Sequence, residues 1–302
     1  MERILYAGGL LTVGQFSLPP TDPRWREINV IEAGPLAVFP VTSAVIQHLG
    51  RDAILVNPNH VVYYNAGQRY RRQLHGRDHR CVFVRFTPSL LADVTGGRSE
   101  LPFDHGPSSA DAYLAQHLIV RHLAAGAEPD PLYVEEVLSQ ALGRALGDAL
   151  ELHRIRPRLR PSTRAARHRL VESAKRLLTD HATERRPLEF FARAVHTSEF
   201  HLARVFRAAT GFSLHGYRNH LRLRLALEHL TARDIDLGGL ASLLGYASHS
   251  HFTDTFRQVF GVAPSEVRDS FGSRGRRELC RVVDAAPRKQ PSLDLGFCSR
   301  PE

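Results

Sequence analysis

Residues 198–211 (SEFHLARVFRAATG) and 248–261 (SHSHFTDTFRQVFG) share one skeleton at an offset of 50 residues. In each, Ser is followed by an apolar residue four places on, by Phe-Arg eight and nine places on, and by Gly thirteen places on. Ser198 and Ser248 are N-caps by type, because a hydroxyl accepts a hydrogen bond from an orphan N–H of the first turn. Leu202/Phe206 and Phe252/Phe256 are i,i+4 pairs that turn one face to a core. Gly211 and Gly261 fit the left-handed position after a helix end. Each copy therefore predicts a helix of about ten to twelve residues with one apolar face.

A shorter apolar helix precedes each copy. Leu188, Phe191, Ala192 and Val195 form the first; Leu237, Leu240, Ala241 and Leu244 form the second. Ala192 and Ala241 permit close approach, and Gly245-Tyr246 supplies a turn. Two helices joined by a tight turn make a helix-turn-helix, whose second helix can enter a DNA major groove. Between the units, residues 214–230 read as one long helix with Leu221, Leu225 and Leu230 on its apolar side. A continuous helix over 213–231 would span roughly 28 Å.

The charge is distributed to match. The net charge is +9, yet residues 1–153 hold 13 Lys+Arg against 16 Asp+Glu, while residues 154–277 hold 23 against 11. Nearly all of the basic charge is arginine; Lys175 and Lys289 are the two lysines. Such a domain has the footprint of a polyanion binder, although a well-solvated arginine surface has the same composition. The lack of an eighteen-residue apolar run argues against a membrane span. The Gly-broken amino terminus is a poor secretory signal, so a cytoplasmic protein is expected. Cys81, Cys280 and Cys298 are few and unpatterned, which fits a reducing compartment.

Residues 1–105 read as β-rich. Short runs at 53–56, 61–64 and 81–86 are separated by turn formers, as in a sandwich or barrel. Residues 109–125 and 131–154 read as helices. The stripe Leu132, Val134, Val137, Leu138, Ala141, Leu142, Ala145, Leu146 and Ala149 can pack within the chain or on a partner chain. The stretch 154–163 (RIRPRLRPST) reads as a linker. The expected division is residues 1–155, a linker at 156–164, an all-α domain at 165–271, and a poorly ordered tail at 272–302.

Residues 187–230 together with 236–268 resemble the DNA-binding domain of the AraC/XylS family of bacterial regulators. The matching residues are Gly211, the RLRLA stretch at 222–226, Leu230, Ala241, Gly245-Tyr246, Phe252, Phe256, Gly261, Pro264 and Arg268. The resemblance covers about residues 165–270. It implies a seven-helix domain that places two recognition helices in successive major-groove segments. It also implies a cupin-like β-barrel with trailing helices ahead of it, making the whole an α+β chain.

With Leu202, Val205 and Phe206 inward, Ser198, Glu199, Phe200, Ala203, Arg204 and Arg207 are left towards DNA. By the resemblance, Phe200, Ala203 and Arg204 face bases. Arg204 suits guanine O6 and N7, and Phe200 a thymine methyl. In the second helix Ser248, His249, Ser250, Thr253, Asp254 and Arg257 are left outward, and His249, Ser250, Thr253 and Asp254 match base-facing positions. Asp254 departs from the family, where a basic residue is common. It can accept from cytosine N4 or pair with a local arginine. His251 reads as a packing residue.

In the amino-terminal domain, residues 50–86 resemble a barrel half of such regulators. Tyr63, Tyr64, Gln68, Arg69, Tyr70 and Arg72 can line a pocket for an anionic or aromatic small molecule, or form a half-exposed strand and loop. A metal-dependent cupin enzyme needs clustered ligands. His48, His60, His75 and His79 lack the close HxH spacing, and His79-x-Cys81 alone is a poor pair. Repair methyl acceptors with this helix type need a four-cysteine zinc site or a Pro-Cys-His-Arg motif, and neither is present. The expectation is therefore a non-enzymatic transcription regulator without cofactor or metal. Its expected partners are double-stranded DNA, an effector, a second copy in a homodimer and RNA polymerase. A constitutive nucleoid-type binder is the competing class.

Overall fold

The computed structural model describes residues 1–155, 160–231 and 235–271. The expected tail at 272–302 and residues 156–159 of the expected linker lie outside the described residues. Among the described residues ten antiparallel strands form two sheets. The larger has the order β1 (Glu2–Ala7), β2 (Leu11–Leu18), β9 (His79–Phe86), β4 (Leu36–Pro40), β7 (His60–Tyr64), β10 (His105–Pro107). The smaller has the order β3 (Asn29–Val30), β8 (Arg69–Leu74), β5 (Ala44–His48), β6 (Ile54–Val56).

Alternation along the strands fills two layers. Leu36, Val62, Tyr64 and Phe83 of the larger sheet meet Ala44, Ile46, Ile54 and Val56 of the smaller one in an inner core. The intervening residues Ala37, Phe39, Val61, Tyr63, Val82 and Val84 face the other way. They pack under α1 (Pro88–Thr95), α2 (Ala110–Ala124) and α3 (Pro131–Ile155). The α3 stripe from Val134 to Ala149 is buried in this layer, so it packs within the chain; Leu132, at its start, is exposed. Among the described residues no helix is long and apolar enough to cross a membrane.

Among the described residues seven further helices follow: α4 (Pro161–Asp180), α5 (Leu188–Ala194), α6 (Glu199–Thr210), α7 (Leu214–His229), α8 (Leu237–Leu243), α9 (His249–Phe260) and α10 (Pro264–Ser270). α4 begins inside the stretch read as linker. Pro161 stands in its first turn, where a missing N–H costs nothing and the fixed φ suits a helix. The first unit has its own core of Val171, Leu178, Phe191, Leu202, Phe206 and Tyr217. The second unit's Phe252, Phe256 and Phe260 are continuous with the core under α2 and α3.

Polar bonds join the two halves of the chain. Arg224, 1% exposed, donates to Asn59 Oδ1 and Ser108 O, with Tyr113 against its guanidinium face. Asn57 donates to the hydroxyl of Tyr217 at 2.8 Å, and Asn59 to its carbonyl at 2.8 Å. Lys175 donates to Leu55 O at 2.9 Å. Glu228 pairs with Arg121 and lies 3.3 Å from His117. α7 and α4 are therefore held directly by the amino-terminal domain.

Candidate nucleic-acid interface

The two long helices of the repeat form as their local chemistry requires. Ser198 Oγ accepts from His201 N at 3.3 Å, and Ser248 Oγ from His251 N at 3.1 Å. Gly211 (φ 80°) and Gly261 (φ 78°) end α6 and α9 in the left-handed conformation, each N–H returning to the carbonyl of the repeat's Arg. Inward, Leu202, Phe206, Phe252 and Phe256 are fully buried. Outward, each helix leaves a solvent-facing strip.

On α6 that strip holds Glu199, Phe200, Arg204 and Arg207, all exposed, while Ala203 is half-buried and Ser198 caps the end. Phe200 is 80% exposed, which is unusual for a large ring and leaves its face open to a partner. On α9, Ser248, His249, Ser250, Asp254 and Arg257 are exposed, and Thr253 is half-buried with its hydroxyl out of solvent. Asp254 makes no ion pair with an arginine among the described residues. His251 lies against the Tyr246 ring, centroids 5.5 Å apart.

The units are fastened to each other by two arginines. Arg222, on α7, donates Nε to Ala182 O at 2.6 Å and Nη2 to Glu184 O at 2.9 Å, both in the α4–α5 loop. Its Nη1 reaches Gly245 O, in the turn of the second unit, at 3.4 Å. Arg185 spans the same junction from the other side, donating to Gly245 O and to Tyr246 O. Arg222 belongs to the RLRLA stretch; Arg185 was not singled out in the sequence. Nothing local to Arg185 signals the contact, since its acceptors are backbone carbonyls about sixty residues away.

The turns differ. In the first unit the left-handed residue is His196 (φ 54°), two places before the N-cap; in the second it is Gly245 (φ 77°), three places before it. The repeat is thus exact in its recognition helices and one residue out of step in its turns.

Of the pocket candidates, Tyr64, Tyr70 and Arg72 line one cavity between the sheets. Tyr63 points to the opposite side of the sheet, against Phe103, and Arg69 is exposed. Gln68 bonds His48 at 2.7 Å.

Two exposed recognition helices on one bonded scaffold define a double helix-turn-helix protein. A family model described as a helix-turn-helix domain matches residues 191–270. Similar proteins include the transcriptional activator RhaR of Pectobacterium carotovorum, 36% identical over 83 residues, covering 28% of this chain and 29% of that one. They also include the ornithine utilization regulator of Pseudomonas aeruginosa, 34% identical over 101 residues (33% and 30% covered). The match spans about a third of the length of these curated relatives. Among solved structures, fatty-acid-bound ToxT of Vibrio cholerae is 14% identical at a TM-score of 0.37, covering 87% of this chain and 96% of that one. An AraC-type DNA-binding regulator of Chromobacterium violaceum is 25% identical at 0.34, covering 37% and 99%. Over its carboxy-terminal domain the chain is thus similar to helix-turn-helix transcription regulators.

Proposed function

We propose that this chain is a sequence-specific, DNA-binding transcription regulator of the cytoplasm, modulated by a small-molecule effector or partner at its amino-terminal domain. The observation that carries the reading is the pair of capped helices, α6 and α9, with polar faces open to solvent and their units joined through Arg222 and Arg185. In this reading α6 and α9 occupy successive major-groove segments. Ser198, Glu199, Phe200, Ala203, Arg204 and Arg207 serve the first, and Ser248, His249, Ser250, Thr253, Asp254 and Arg257 the second. Arg204 reads guanine, Phe200 contacts a thymine methyl, and the surrounding arginines hold phosphates.

Regulation as a homodimer and contact with RNA polymerase belong to the same reading. The direct bonds from β6, the β6–β7 turn and α2 to α4 and α7 support communication between the domains. The test is selection of bound sequences from random duplexes by the full chain, followed by footprinting. Recovery of two different short boxes in fixed order supports the reading. Sequence-independent binding that depends on salt alone would make the chain a nucleoid-type binder.

A further inference from the structure

Between the two sheets lies a cavity of about 400 Å³, within the size range of small-molecule sites. Its walls include the rings of Phe16, Tyr70 and Phe83. Into it projects Arg72, 7% exposed, with its guanidinium 5.1 Å from the Phe16 centroid and 5.0 Å from that of Tyr70. Arg72 Nη2 donates to Asn29 Oδ1 at 3.0 Å and to the Tyr70 hydroxyl, while its Nε has no hydrogen-bond partner. On the same walls His79 Nδ1 and Arg85 Nε are also buried without one. Buried polar atoms are ordinarily satisfied, so three orphans around one cavity need an explanation.

The charges around the cavity narrow it. Arg24 is paired with Asp22 at 2.8 Å, and Arg85 has Glu2 at 4.0 Å. Glu32, at the rim, is exposed. Arg72 makes no ion pair with any of them among the described residues. A buried guanidinium without a counter-charge is costly, and the open space in front of it is bounded by rings. One unmatched positive charge calls for one negative charge. The free Nε–H of Arg72 can donate to one oxygen of a carboxylate as a charge-assisted hydrogen bond, whereas a dianion such as phosphate would lack its second cation. The rings call for a flat apolar body.

We propose that this cavity binds a small aromatic monocarboxylate, its carboxylate held by Arg72 and His79 and its ring set against Phe16, Tyr70 and Phe83. The proposal rests on the reading of the amino-terminal domain as an effector module and names the chemical class of that effector.

The experiment is calorimetric titration of the full chain with benzoate, phenylacetate and 3-phenylpropionate, and with their primary amides, alongside thermal melting. At least one acid should bind and raise the melting temperature, with its amide about 10- to 100-fold weaker. Arg72→Met should remove the preference for acid over amide. The unliganded variant should melt no lower than the parent, because the unpaired buried cation is gone. Arg72→Lys, which keeps the charge and loses the Nε–H, should retain part of the preference and serves if Arg72→Met does not fold. Absence of binding by all three acids overturns the proposal. So does equal binding of acids and amides, or undiminished acid binding by folded Arg72→Met. If an acid binds as described and leaves DNA affinity unchanged, the site stands and the effector reading of the domain fails.

Discussion

The Nη1 of Arg222 lies 3.4 Å from the carbonyl oxygen of Gly245, so a residue of the helix between the units grips the turn of the second unit. The same guanidinium holds the α4–α5 loop through Ala182 and Glu184. A Cβ added at Gly245 would fall 2.0 Å from Thr183 O, and the residue is at φ 77°. Only glycine allows this approach. Gly245→Ala should therefore destabilise the protein by about 2 kcal/mol or more through clash and left-handed strain. Chemical denaturation measures it; a loss below half of that would show that the α4–α5 loop yields freely.

His196 is the one non-glycine residue with positive φ among the described residues. A side chain in this region costs roughly 1–2 kcal/mol, and glycine loses about 0.5–1 kcal/mol of that gain to the entropy of the unfolded chain. His196→Gly should stabilise by up to about 1 kcal/mol without altering the bound sequence. A drop in melting temperature would mean that the imidazole makes a contact worth more than the strain.

The outward residues should separate on mutation. Arg204→Ala should cost roughly 1–3 kcal/mol and relax preference at one base pair, as loss of a bidentate guanine contact does. Equal weakening on every duplex would make Arg204 a phosphate ligand. Asp254 is exposed and has no arginine partner among the described residues, so Asp254→Ala should hold or raise general affinity. A large loss confined to a site with one cytosine would instead make Asp254 a reader.

Burial raises the Asp148 carboxyl from 3.8 to about 7, with Asp111 and Glu151 adding to the shift and Ser109 and Arg144 opposing it. A carboxyl raised in the folded state binds its proton more tightly there than in the unfolded chain. Its contribution to stability is full below the unfolded value near 4 and is lost as pH rises towards 7. The buried His48 and His79, both lowered to about 4 chiefly by burial, act oppositely, losing stability as pH falls from 6.5 to 4. Comparing Asp148→Asn with the parent cancels the histidines. The variant should gain on the parent as pH rises from 4 to 7 and lead it at pH 8. A constant difference across that range would contradict the assignment.

The two recognition helices were legible because their determinants are local: Ser caps, i,i+4 apolar pairs and terminal glycines. The side of the sheet taken by each tyrosine of the Tyr63-Tyr64 pair was not. All five residues of β7 are buried, so no polar alternation marks which ring enters the cavity and which meets α3. The burial of Arg224 was not legible for a related reason. On an isolated helix a second arginine in RLRLA reads as solvated, and it is buried only because Asn59 and Ser108 arrive from the amino-terminal domain. The RIRPRLRPST stretch read as linker because proline breaks helices, yet proline also starts them, and Pro161 opens α4.

The central claim is that α6 and α9 form one reading head, and helical phasing tests it most directly. α7 runs 16 residues, about 24 Å at 1.5 Å per residue, and with Arg222 and Arg185 it holds the units at a fixed separation, while successive major-groove segments lie about 34 Å apart. In a mapped half-site, an insertion of about five base pairs between the two boxes turns one of them to the far face of the duplex, and an insertion of about ten restores it. Full-chain affinity measured by titration should fall towards the single-box level with the first insertion and recover in part with the second. Equal affinity for the parent site and the five-base-pair insertion would contradict the account, leaving one unit to read DNA alone.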